Sequence, residues 1–148
     1  MEKAALKILL ADDDEDDRLL FKDAFNELKI KSIVNTVNNG KQLMGYLAKN
    51  NADLPHLIFL DLNMPYKNGL ECLKEIRSSK KFNEISIAIY STSASEHDIG
   101  ETFRNGANLY MKKPSDFSIL KQLLAKVISA GDLYRGGSLN REDFLLRI

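Results

Sequence analysis

The stretch "ILLADDDEDDRLL", residues 8–20, drives an apolar run straight into six consecutive carboxylates, Asp12 to Asp17. Carboxylates that close repel: two unit charges about 5 Å apart cost roughly 3 kcal/mol at an effective dielectric near 20. The run divides in two. Glu15, Asp16 and Asp17 open a helix, where carboxylates meet the positive end of the macrodipole and unpaired N–H groups. Leu20, Phe21, Ala24, Phe25 and Leu28 continue that helix as one apolar stripe. Asp12 and Asp13, together with Asp14, are left at the end of a buried strand, where a cation would offset their repulsion.

The same alternation of strand and helix continues along the chain. Strand candidates are "KILLA" (7–11), "SIVNTV" (32–37), "HLIFL" (56–60), "SIAIYS" (86–91) and "NLYMKK" (108–113). The first, third and fourth are nearly continuous apolar runs, as strands buried on both faces should be. "SIVNTV" alternates, which suits an edge. Ile119, Leu120, Leu123, Leu124, Val127 and Ile128 mark the last helix. Ser95 with Asp98 forms a capping-box pattern for the fourth helix, Gly106 fits its C′ position, and Gly131 can close the fifth. Five strands alternating with five helices predict a parallel α/β sheet with helices on both faces.

Composition narrows the function classes. The chain has 148 residues, 44% hydrophobic and 28% charged, which suits one domain with a proper core. Lys plus Arg equals Asp plus Glu at 21 each, so no global field attracts nucleic acid or anionic membrane. The single cysteine, Cys72, excludes an intrachain disulfide and reads as a small core filler. The N-terminal apolar stretch is too short for a signal peptide, and no later segment approaches a membrane span. A cytoplasmic protein is expected.

In open parallel sheets function gathers beyond the carboxyl ends of the strands. Strand 1 ends at Asp12-Asp13, strand 3 at Asp61, strand 4 at Ser91-Thr92 and strand 5 at Lys113-Pro114. Three carboxylates, a hydroxyl and an ammonium therefore meet at one sheet edge. Hard oxygen ligands in that number suit Mg²⁺, which takes one or two carboxylates, a carbonyl and several waters. A carboxylate can also accept a phosphoryl group as an aspartyl phosphate, with Lys113 and Ser91 supplying donors to its oxygens.

These residues give the chain its resemblance to the response-regulator receiver domains of two-component signalling. The resemblance rests on "LLADDD", "DLNMPYKNG", "IYSTSAS" and "LYMKKP" in that order, and covers about residues 6 to 130. It implies a flavodoxin-like sheet order 2-1-3-4-5 and a phosphoryl group passed from a phosphohistidine to Asp61. It also implies Mg²⁺ bound by Asp13, Asp61 and the backbone carbonyl of Asn63, with Asp12 helping through water. Ser91 and Lys113 would bond phosphoryl oxygens, and Tyr110 matches the aromatic whose rotamer changes on activation. The Lys113-Pro114 bond is often cis in that family, against about 5–6% of X-Pro bonds at large. Ser91 stands for the commoner Thr, Thr92 for Ala, and Asn68 for Asp.

A stand-alone receiver over residues 1–131 is expected to be a switch rather than an enzyme. Its partners would be a sensor histidine kinase or phosphotransfer protein and a downstream protein target. No direct DNA binding is expected, and a homodimer is one form the output could take. Residues 132–148 read as a tail: Arg135-Gly136-Gly137-Ser138 as a joint, then a short helix capped by Asn140 and Asp143 and carrying Phe144, Leu145 and Ile148. That tail could dock on its own domain or contact a partner.

Other readings fit less well. A metal-dependent aspartyl-phosphate phosphatase wants Asp-x-Asp, and Asp61-Leu62-Asn63 lacks the second acid. A flavin-binding module would have its phosphate repelled by the acidic first loop. Asp12, Asp14 and Asp16 mimic the start of a calcium loop, but Asp17 sits where Gly is required. His56 and His97 lack ligand spacing.

Overall fold

The computed structural model describes residues 5–49, 53–129 and 144–146. Its strands are β1 (Leu6–Ala11), β2 (Ser32–Val37), β3 (Leu57–Leu60), β4 (Ser86–Ser91) and β5 (Leu109–Lys112). Its helices are α1 (Glu15–Leu28), α2 (Gly40–Lys49), α3 (Gly69–Arg77), α4 (Glu96–Arg104) and α5 (Phe117–Ser129). A 3₁₀ turn covers Lys80–Phe82. The five strands form one parallel sheet in the order β2-β1-β3-β4-β5. β2 is at an edge, as its alternation predicts, and β3 lies at the centre. β3 and β5 are each shorter than their sequence candidates, beginning one residue later, and β5 also ends one residue earlier.

Alternation along the strands sorts the core into two layers. Ile8, Leu10, Leu57, Phe59, Tyr90 and Met111 pack with Phe21, Ala24 and Phe25 of α1 and with Leu120, Leu123, Leu124 and Val127 of α5. Leu9, Ile58, Leu60, Ile87 and Ile89 pack with Leu43 and Leu47 of α2, Cys72, Leu73 and Ile76 of α3, and Ile99 of α4. Phe21 anchors the first layer, with its ring centroid 4.9 Å from Phe59 and 5.7 Å from Tyr90. Each such aromatic pair adds about 0.5–1.5 kcal/mol beyond area burial. Leu20 and Ile119, read from the sequence as members of the apolar stripes, are exposed. Their positions lie at the stripe margins, where the helix has already turned away from the sheet.

Several local expectations resolve at atomic level. Ser95 accepts from the Asp98 N–H as an N-cap, but Asp98 does not close the reciprocal half of the box; its carboxylate takes the Ser93 hydroxyl at 2.7 Å. Gly106 follows α4 with φ +93°, a conformation that favours glycine. Cys72 is buried and packs in the second layer. His97 is exposed, and His56 accepts the Lys7 N–H at Nδ1. No cis peptide bond occurs among the described residues, so Lys113-Pro114 is trans. No helix among them is long and apolar enough to cross a membrane.

The tail docks on its own domain where it is described. Phe144 is fully buried, and Leu145 forms a parallel bridge with Tyr110. Phe144 is helical, as the predicted short helix requires, while Leu145 leaves that helix to form an isolated bridge at the β5 edge. Gly131, the 135–138 joint, Asn140, Asp143 and Ile148 lie outside the described residues.

Candidate functional site

Parallel pairing brings the ends of β1, β3, β4 and β5 to one edge. The Asp61 N–H donates to the Ala11 carbonyl at 3.0 Å, and the Lys113 N–H donates to the Ser91 carbonyl at 2.8 Å. Asp61 therefore ends the central strand, with Asp12-Asp13 beside it on β1 and Ser91 beside it on β4. Asp12, Asp61 and Ser91 are buried, while Asp13 is exposed at the rim.

Lys113 organises the charges. Its Nζ lies 2.8 Å from Asp12, 2.9 Å from Asp17 and 3.3 Å from Asp61, and sits 5.2 Å from the centre of the Tyr90 ring. Burial works against the ammonium, but the carboxylates it pairs with, Asp12 and Asp17 foremost, outweigh it, so its pKa is raised and it stays charged. Burial pushes the Asp61 carboxyl up to about 6, against the lowering effect of Lys113. Asp12 is also raised by burial, again opposed by Lys113.

The acidic run is divided differently from its sequence reading. Asp14 is the N-cap of α1, accepting the Asp17 N–H at 3.0 Å, so it serves the helix and not the cluster. Asp17 serves the site by pairing with Lys113. Arg18, one residue on, donates to the Asp12 carbonyl at 2.8 Å. Neither contact is legible from spacing, because both depend on how α1 leans over the sheet edge.

The loop after β3 is built to hold Asp61. The Asn63 N–H donates to Asp61 Oδ1 at 3.1 Å. Asn68 caps α3 with a complete box: its side chain accepts from the Glu71 N–H, and Glu71 accepts from the Asn68 N–H. Asn therefore does the capping work of Asp at this position, and the N-x-x-E spacing was available in the sequence. Gly69 is required for space, because a Cβ there would collide with the Asp61 carbonyl oxygen.

Asp12, Asp13 and Asp61 bring one carboxylate oxygen each within 4.8 Å of one another, close enough to share a metal ion. One atom supports that fit. Asp12 Oδ2 is buried and receives no directed hydrogen bond, since Lys113 approaches it at an angle outside hydrogen-bonding range. A buried carboxylate oxygen held by charge alone, with no hydrogen bond, suits a hard cation.

Ser91 and Tyr110 flank the site on its far side. Ser91 Oγ accepts the Ser93 N–H at 3.2 Å, and the Tyr110 hydroxyl donates to the Ser93 carbonyl at 2.6 Å. Thr92 is exposed beside them.

A single parallel sheet covered by helices on both faces, with an acidic, lysine-bridged cluster at its carboxyl edge, defines a flavodoxin-like module. The chain belongs to the response regulator receiver domain family, whose model matches residues 8–125. It is 30% identical over 126 residues to a chemotaxis protein CheY homolog of Campylobacter jejuni, covering 85% of this chain and 95% of that one. The crystal structure of the phosphorylated cyanobacterial phytochrome response regulator RcpA superposes with a TM-score of 0.79 at 34% identity, over 86% of this chain and 94% of that one. The Mn²⁺-bound form of response regulator Rcp1 gives 0.75 at 25% identity, over 90% and 98%. The protein is thus a phosphorylation-dependent signalling switch, and its acidic cluster is compatible with a divalent cation.

Proposed function

We propose that Asp61 is the phosphoryl acceptor of this switch and that the donor is a phosphohistidine on a kinase or phosphotransfer protein. The observation that carries this reading is the sharing of Lys113 among Asp12, Asp17 and Asp61, with Asp61 at the end of the central strand. An Asp61 oxygen attacks phosphorus, the P–N bond breaks, and its electron pair leaves with the imidazole nitrogen.

Asp12, Asp13, Asp61 and the Asn63 carbonyl would hold Mg²⁺, which supplies charge neutralisation for the phosphoryl oxygens. Lys113 and Ser91 donate to those oxygens, and Tyr110 transmits the change to the α4–β5–α5 surface. Output is a contact with another protein, with a second copy of this chain as one such partner and direct DNA binding not expected. The chain's own chemistry is limited to gaining and losing the phosphoryl group. A cytoplasmic setting suits a partner kinase and the free, buried Cys72.

Acetyl phosphate with Mg²⁺ should add one phosphoryl group to the parent, read by intact-mass spectrometry, and none to Asp61→Asn. Asp13→Asn should weaken the gain in thermal stability that Mg²⁺ gives the parent. Equal phosphoryl uptake by Asp61→Asn would overturn the assignment.

A further inference from the structure

Tyr110 is held from two sides. Its hydroxyl donates to the Ser93 carbonyl at 2.6 Å, in the loop that follows Ser91. On its other side stands the tail: the fully buried Phe144 ring packs edge-on against Tyr110 at 6.1 Å and against Phe103 of α4 at 5.2 Å. The Leu146 N–H donates to the Tyr110 carbonyl at 2.8 Å, and Leu145 forms an isolated parallel bridge with Tyr110. The residue nearest the site loop and the residue that anchors the tail are the same one.

We infer that residues 144–146 are a built-in ligand for the slot between the β5 edge and α4, and that their docking holds Tyr110 in its buried rotamer. The occupant is this chain's own Phe-Leu-Leu segment, recognised by a one-residue backbone bridge to the β5 edge together with one aromatic anchor. Phe144 covers Tyr110, so a ring that swings outward loses that packing and competes with Phe144 for the same space. A ring that stays inward keeps both its Ser93 hydrogen bond and its cover. Resting on the proposed role of Ser91 and Asp61, a phosphoryl group that favours the inward ring also favours the docked tail. By linkage the docked tail then favours phosphorylation to the same extent. A protein that uses the slot has to displace the tail.

Hydrogen exchange on the full chain tests this, with beryllofluoride and Mg²⁺ as the phosphoryl mimic. Exchange at the Leu146 amide should slow by about fivefold or more on adding beryllofluoride, within the usual range of coupling between sites. Phe144→Ala and Leu146→Pro should each weaken beryllofluoride binding by a comparable factor. Leu146→Pro removes the N–H donated to Tyr110 together with the Leu146 side-chain packing but keeps the Phe144 ring, so it reports even if loss of that ring disturbs the fold. Unchanged or faster exchange, in protein whose Asp61 still accepts phosphoryl from acetyl phosphate, would overturn the inference and leave the functional reading intact. Protection that grows with protein concentration would assign the slot to a second copy's tail and overturn the intramolecular assignment. Failure of Asp61 to accept any phosphoryl group would overturn the functional reading, and this inference with it.

Discussion

Lys113 Nζ stands 3.3 Å from Asp61 Oδ2, and the same ammonium reaches Asp12 and Asp17 at shorter range. One buried cation therefore compensates three carboxylates contributed by β1, α1 and β3. Removing it would strand them. Lys113→Met should destabilise the metal-free protein by about 3 kcal/mol, the scale for taking one partner out of a buried ion pair. Mg²⁺ should restore part of the loss. Urea unfolding with and without Mg²⁺ measures both, and an unaltered midpoint would mean the carboxylates relax without Lys113.

The raised pKa of Asp61 fixes a pH dependence. Its folded value is about 6, above the ordinary 3.8, so the folded state holds this proton more tightly than the unfolded chain. The resulting stability is fully present below the ordinary value and is lost as pH rises through about 6. In the metal-free protein Asp61→Asn should therefore stabilise at neutral pH, by up to about 3 kcal/mol. The gain should shrink to little below about pH 4, where the parent is already protonated. Denaturation midpoints of the two proteins across this range provide the check; a pH-independent difference would contradict it.

Two glycines should respond oppositely to alanine. At Gly69 a Cβ would collide with the Asp61 carbonyl and the Leu62 backbone, so Gly69→Ala should cost about 1–3 kcal/mol and slow phosphoryl uptake by displacing Asp61. At Gly45, within α2, a Cβ would meet nothing within 4 Å. Gly45→Ala should stabilise by about 0.5–1 kcal/mol through reduced chain entropy in the unfolded state. Thermal unfolding of both variants distinguishes steric need from simple helix propensity.

What was legible in the sequence follows from what is local. Strands buried on both faces read as apolar runs, so the ends carrying Asp12, Asp13, Asp61, Ser91 and Lys113 could be located without a structure. Asp17 could not be assigned that way. Near a helix N-terminus a carboxylate satisfies the dipole equally well whether or not it faces a lysine 96 residues away. Asp14 was ambiguous for the same reason, since cap and metal ligand call for the same side chain. Phe144 is helical as its pattern predicts, but Leu145 is not, because periodicity cannot report an available sheet edge. Its partner Tyr110 is set by tertiary packing.

Chemical mapping of the modified residue tests the central claim most directly. The full chain is treated with acetyl phosphate and Mg²⁺, the acyl phosphate is reduced with borohydride, and the peptides are sequenced by mass spectrometry. The reduced carboxyl should map to position 61 alone and should vanish when Mg²⁺ is withheld. A label at Asp12 or Asp13, or equal labelling without the cation, would contradict the account.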